Sequence, residues 1–160
     1  MDFSDSSWQY FPDTGRSTGA YIIFYQGGPI DHVTHVPGPV SQSSAESEYN
    51  AECTAGMALA HFRIVIHELL NEDPDIVPRE APLIFLNSKY TICMAKIGKD
   101  TKHTRHISRR MHFVRNGENC KMHKIDWCEV GLQLTDIGTK NVSKPDLTPR
   151  MKYIMLRLEN

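Results

Sequence analysis

The segment Ser43-Ser44-Ala45-Glu46-Ser47-Glu48-Tyr49 and the run that follows it to Leu70 constrain this chain more than any other part of it. Ser43 is suited to cap a helix N-terminus. Glu46, three residues later, is suited to reach back, which is the reciprocal pattern of a capping box. Ala51, Ala55, Ala58, Leu59, Phe62, Ile66, Leu69 and Leu70 then recur at helical spacing and mark a buried face. The spacing predicts one long helix from Ser44 to Leu70. Glu48 lies in its second turn, beside Tyr49 and among residues that face the core. A carboxylate there is costly unless something pairs with it. A metal ion would do so, provided other carboxylates converge on the same point.

Around this helix the elements read in order. Phe3 to Trp8 is a short strand carrying Asp5, followed by the turn Pro12-Asp13-Thr14-Gly15. Tyr21 to Tyr25 is a buried strand, Gln26-Gly27-Gly28-Pro29 a hairpin turn, and Ile30 to Val36 its partner. Pro37-Gly38-Pro39 ends that strand. Asn71-Glu72-Asp73-Pro74 breaks the long helix, and a loop runs to Pro82. Leu83-Ile84-Phe85-Leu86 is the continuous apolar run of a buried strand, stopping at Asn87. Ser88 caps a helix to about Lys96, ended by Gly98. Thr101 to Arg115 is a further helical stretch, closed by Asn116-Gly117. Met122 to Trp127 is the last strand and Leu132 to Thr139 is helical. Lys140 to Pro149 reads as a linker, and Pro149 to Leu158 as a terminal helix with Pro149 near its first turn. The order β-β-β-α-β-α-α-β-α predicts an α/β domain, a mixed sheet with helices on its faces.

Composition narrows the function. At 160 residues, 40% hydrophobic and 23% charged, the chain suits one globular domain. It has no apolar run near the ~18 residues of a membrane span, and Met1-Asp2-Phe3-Ser4-Asp5 has neither part of a secretory signal. Four scattered cysteines, with Cys53 and Cys93 on apolar helical faces, suggest reduced thiols and an intracellular setting. Cys120, His123 and Cys128 match no common zinc spacing, and strand alternation explains them better. His103, His106 and His112 read as helix-surface histidines. A net charge of −1 excludes a wholly basic nucleic-acid binder but not a local patch. Lys96, Lys99, Lys102, Arg105, Arg109, Arg110 and Arg115 fall in a stretch whose one acid is Asp100. Such a run is either a solvated helix face or a phosphate-contacting surface, and the acidity of the rest of the chain favours the second.

Six motifs in order carry a resemblance. They are Ser4-Asp5-Ser6-Ser7-Trp8; Pro12 to Tyr21, reading Pro-Asp-Thr-Gly-Arg-Ser-Thr-Gly-Ala-Tyr; Gly27-Gly28-Pro29-Ile30; Ser43 to Tyr49; Thr104-Arg105-His106-Ile107 with His112-Phe113; and Gln133 to Lys140. With these the chain resembles the ribonuclease H domain of copia-type LTR retrotransposon polyproteins over residues 2 to about 141. The resemblance implies a five-stranded mixed sheet of order 3-2-1-4-5 with helices on both faces. It makes residues 1–141 the ribonuclease H-like domain, with 142–160 a C-terminal linker and helix packed on it. It implies cleavage of the RNA strand of RNA–DNA hybrids with two Mg²⁺ ions, Mn²⁺ substituting, in a monomeric domain excised from a polyprotein that also carries reverse transcriptase. The setting implied is a cytoplasmic retroelement particle or the nucleus. A related integrase core shares such chemistry, but its carboxylate spacing differs.

Carried over position by position, the metal-binding and catalytic set is Asp5, Glu48, Asn87 and Asp136. At position 87 the family has an aspartate. Asparagine keeps a carbonyl oxygen but removes a negative charge, so metal affinity should fall while fold and hybrid binding survive. Three readings are open: an introduced Asp→Asn change, a decayed or domesticated inactive element, or a register offset, the last against the gapless fit of Leu86-Asn87-Ser88. The resemblance assigns no mobile histidine, and Glu129 to Leu132 holds none. The basic residues named above would meet the nucleic-acid backbone. Ser43 and Ser44, with Gln42, are candidate readers of the RNA 2′-hydroxyl. Trp8 is either part of that surface or plain core.

Overall fold

The computed structural model describes residues 1–38, 40–70, 81–97 and 107–156. Strands β1 (Asp2–Phe11), β2 (Arg16–Tyr25) and β3 (Gly28–His35) form an antiparallel meander. Helix α1 (Ser44–Leu69) leads to β4 (Leu83–Leu86) and α2 (Lys89–Ile97). Helix α3 (Ser108–Asn119) precedes β5 (Lys124–Trp127), and α4 (Asp136–Thr139) and α5 (Lys144–Leu156) follow. β4 pairs parallel with β1 and with β5, which gives the expected mixed sheet of order β3-β2-β1-β4-β5.

Period-two alternation separates two cores. Tyr21, Ile23, Ile84, Leu86 and Ile125 face one way, onto Tyr49, Cys53, Ala55 and Leu59 of α1 and Met111 and Val114 of α3. Phe3, Ile22 and Phe24 face the other way and meet Leu134 and Ile154. The tight β2–β3 turn takes Gln26 and Gly27 at φ 47° and 90°, the conformation that two-residue hairpins need.

Several boundaries differ from expectation. The first two strands are longer, because paired backbone extends β1 through the exposed Tyr10 and Phe11 that no alternation marks. Leu69 and Leu70 at the end of α1 are 76% and 54% exposed, so its buried face ends earlier than its apolar spacing. Cys93 is exposed, not on a buried face. α3 runs through Asn116-Gly117 instead of stopping there. Gly117 is chosen for space, since a Cβ would lie 2.1 Å from Cε1 of the buried His123. Residues 101–106 of that expected helix lie outside the described residues. The 132–139 helix is instead a 3₁₀ turn at Val130–Leu132 followed by α4. Most of the expected linker is helical. Ser143 accepts from the N–H groups of Asp146 and Leu147 and so starts α5, leaving Pro149 inside the helix. No described helix is long and apolar enough to cross a membrane.

Candidate active site

Register brings the predicted carboxylates to one end of the sheet. β1 and β4 run parallel with Phe3 opposite Phe85, so two residues further along each strand Asp5 and Asn87 are neighbours on one face. The Nδ2 of Asn87 donates to Asp5 Oδ1 at 3.1 Å. An ionised carboxylate only accepts, so the amide turns its donor toward it. Thr139 Oγ1 donates to Asp5 Oδ2 at 2.5 Å. Asp5 itself is fully buried.

α4 supplies the opposite wall. Gly138 allows it to lie against the sheet, since a Cβ there would come within 2.5 Å of Thr34 Oγ1 and 3.0 Å of the Ala20 Cβ. That approach delivers Asp136, Thr139 and Lys140 to Asp5. Lys140 Nζ sits 3.3 Å from Asp5 Oδ2 and also pairs with Asp136 Oδ1. Arg150, from α5, places Nη2 3.2 Å from Asp136 Oδ2. Its other bonds, to the carbonyls of Gln133, Asp146 and Val130, fix the guanidinium in place. Gln133 Nε2 in turn donates to the Ser4 carbonyl at 2.7 Å and ties this loop to β1.

Glu48 enters from α1. Ser43 Oγ accepts from the Glu46 N–H at 3.1 Å, and Glu46 Oε2 accepts from the Gln42 N–H at 2.6 Å. The capping box therefore forms, with its return bond one residue further out. Glu48 accepts from the Ser6 backbone N–H, while its Oε2 is buried with no partner. Burial, then the charge of Asp5, push the Glu48 carboxyl up to about 8. Burial likewise raises Asp5, against the Thr139 hydrogen bond and the Lys140 charge. For Lys140, burial works downward, but the Asp136 hydrogen bond and the charges of Asp5 and Asp136 outweigh it and hold the ammonium above its ordinary value.

This donor set fits a hard cation at Asp5 and Glu48. Two acids that cling to protons beside an orphaned carboxylate oxygen are what a divalent ion would relieve. Asp136 does not fit in the same way, because Lys140 holds one oxygen and Arg150 the other. Among the described residues, no group of three or more His, Cys, Asp and Glu side chains is placed to hold a metal ion.

No family model matches the sequence, and no curated protein does. Solved structures do. LC11-RNase H1 in complex with an RNA/DNA hybrid shares 14% identity over 82% of this chain and 86% of its own, with a TM-score of 0.56. A second structure of LC11-RNase H1, isolated from compost by a metagenomic approach, shares 10% identity over 99% of this chain and 94% of its own, with a TM-score of 0.50. The fold is that of ribonuclease H.

On this ribonuclease H-like scaffold, the candidate nucleic-acid residues are dispersed. Ser43 and Ser44 are exposed, and the Ser43 oxygen serves as the helix cap. Lys96 and Arg109 are exposed and Arg110 is half-buried; Lys99, Lys102 and Arg105 lie outside the described residues. Arg115 bonds the Ala95 and Met94 carbonyls and so ties α3 to α2. Trp8 is 42% exposed and donates from its indole to the Ser41 carbonyl, so it is not plain core. Cys120 is exposed while His123 and Cys128 are buried, and no metal group forms from them. Sequence reasoning passes over Lys140, Thr139, Arg150 and Glu52. The i,i+4 spacing of Asp136 and Lys140 is a readable signal, and so is that of Glu48 and Glu52. Arg150 has none, since it acts on the carbonyls of the Val130–Gln133 turn and of its own helix, which only folding brings together.

Proposed function

We propose that this chain is a ribonuclease H of copia-type retroelement descent, acting on the RNA strand of RNA–DNA hybrids, and that Asn87 cripples its cleavage. The observation that supports this reading is the meeting of Asp5, Glu48, Asn87 and Asp136 at one end of the sheet, linked through Thr139 and Lys140. A neighbour of the same fold was solved with an RNA/DNA hybrid, which agrees with it. A divalent cation in such a site polarises a phosphoryl oxygen and neutralises its charge. The chain's own part is positional. Thr139 and Asn87 fix the Asp5 carboxylate, Ser6 orients Glu48, and Arg150 with Lys140 fixes Asp136. Lys96, Arg109 and Arg110 supply phosphate contacts, and Ser43 and Ser44 stand where α1 begins, close in sequence to Glu48. The six motifs favour a retroelement origin, with reverse transcriptase as the companion domain and an intracellular setting.

The test is cleavage of a labelled RNA–DNA hybrid in Mg²⁺ and in Mn²⁺ by this chain and by Asn87→Asp. Cutting by the aspartate form alone is the expected result. Cutting by both would remove position 87 from the essential set. A second reading, a non-catalytic module that binds nucleic acid or protein, is favoured by one feature: Asp136 is fully engaged by cationic side chains. Hybrid binding without cutting by either form would select it.

A further inference from the structure

We propose that Lys140 is a built-in counter-ion standing in for a second divalent cation, so that the centre takes one ion, at Asp5 and Glu48, and admits another at Asp136 only when Lys140 is removed. The inference deepens the metal-dependent reading of this site and rests on it.

Three observations carry it. First, the Lys140 ammonium bridges the two carboxylates that a second ion would have to share: Asp5 Oδ2 at 3.3 Å and Asp136 Oδ1. Second, Arg150 holds the remaining Asp136 oxygen at 3.2 Å, and its bonds to three backbone carbonyls keep it there. Asp136 therefore has both oxygens held by cationic side chains, whereas Asp5 Oδ1 meets only the neutral Asn87 amide and Glu48 Oε2 has no partner at all. Third, the formal charges leave room for one ion only. Asp5, Glu48, Asp136 and the buried Glu52 carry four negative charges, Lys140 and Arg150 carry two positive ones, and Asn87 adds none. The uncompensated charge sits at Glu48 and Glu52, and one divalent cation balances it. A second would leave the centre net positive and would meet the first ion and the two cationic side chains in a site of low effective dielectric.

Lys140 is also placed to act as a removable plug. Its side chain is 41% exposed, while those of Asp5 and Asp136 are 0% and 6% exposed. The ammonium thus reaches the carboxylates from the solvent side, and its departure needs rotation of one flexible side chain and no backbone movement.

The experiment titrates the whole chain with Mn²⁺ alone, counting bound ions by electron paramagnetic resonance, for the wild type, Lys140→Met and Lys140→Arg. Melting in EDTA and in Mn²⁺ confirms that each variant folds. The wild type should bind one Mn²⁺. Lys140→Met should bind Mn²⁺ at least ten-fold more tightly or take up a second ion, and should melt lower in EDTA but recover with Mn²⁺. Lys140→Arg, which keeps the charge, should behave as the wild type. Two ions in the wild type, or a Lys140→Met variant that binds no second ion and no more tightly than the wild type, would overturn the inference and leave the metal-dependent reading standing. No Mn²⁺ bound by any form would overturn both. Hybrid cleavage is not part of the readout, so a chain that fails to cut still decides the question.

Discussion

Replacing Glu48 by glutamine should stabilise the metal-free protein at neutral pH, although it removes a carboxylate central to the proposed chemistry. In the folded chain Glu48 titrates at about 8 against 4.5 for an unperturbed carboxyl. Its folded value is the raised one, so the unfolded state loses the proton first. The stability this group contributes is therefore full below about pH 4.5 and is lost as pH rises toward 8. Each unit is worth about 1.4 kcal/mol, so the loss between pH 5 and 7.5 is about 3 kcal/mol. Glutamine is neutral in both states and keeps an oxygen for the Ser6 N–H. Glu48→Gln should thus match the wild type near pH 4.5 and exceed it by about 3 kcal/mol at pH 7.5, roughly 6 to 12 °C in Tm for a domain of this size. Thermal melts in EDTA across that range measure it, and saturating Mg²⁺ should erase most of the difference by stabilising only the wild type. A variant no more stable than the wild type at pH 7.5 would refute the reasoning, since it would mean that Lys140 already satisfies Glu48.

Three further predictions follow from particular contacts. Asn87→Asp replaces a donor to Asp5, at 3.1 Å, by a like charge; it should cost the metal-free protein about 1 to 3 kcal/mol, recovered in Mg²⁺, as melts in EDTA and in Mg²⁺ would show. Gly117→Ala drives a methyl to 2.1 Å from the buried His123 ring and should cost about 3 kcal/mol in urea unfolding, less when His123→Ala is made with it. Lys96→Gln and Arg109→Gln, both on exposed side chains, should each lower the salt-dependence slope of hybrid affinity by about one, measured by fluorescence anisotropy over a salt series.

The sheet is legible in the sequence because its inner strands are short continuous apolar runs bounded by turn residues. Tyr21-Ile22-Ile23-Phe24 is apolar throughout since both faces are covered, and Leu83 to Leu86 repeats the pattern. α1 is legible through its cap and its small residues. Edges are less so: Tyr10 and Phe11 extend β1 by backbone pairing with exposed side chains, which leaves no periodic trace. Pro149 reads as a helix start because proline fits the first turn best, whereas Ser143 begins α5 and Pro149 is tolerated inside it. In the candidate site, Asp5, Glu48 and Asp136 are proposed from motif. What the motif does not convey is that Asp136 is paired twice. Half of that pairing, with Lys140, stands four residues away in the sequence. The other half, with Arg150, depends on a guanidinium held by carbonyls brought together only in the folded chain.

The balance of charge at this end of the sheet bears on the choice between an enzyme and a binding module. A fold kept only as a scaffold gains nothing from burying Asp5 and Glu48 side by side, where both hold protons more tightly than free carboxyls. Glu52, one turn beyond Glu48, is fully buried with neither oxygen partnered, and burial followed by the charges of Glu118 and Glu48 raises it too. Such groups lower stability unless a cation is bound. This agrees with the proposed reading, in which positive charge is supplied from outside the chain. Asn87 and Lys140 act in the opposite direction: one removes a negative charge and the other provides a positive one from within. On the proposed reading, a centre that retains these costly carboxylates has its chemistry turned down at Asn87 and Lys140. Those two positions, ahead of the rest of the fold, are where substitution should change its output.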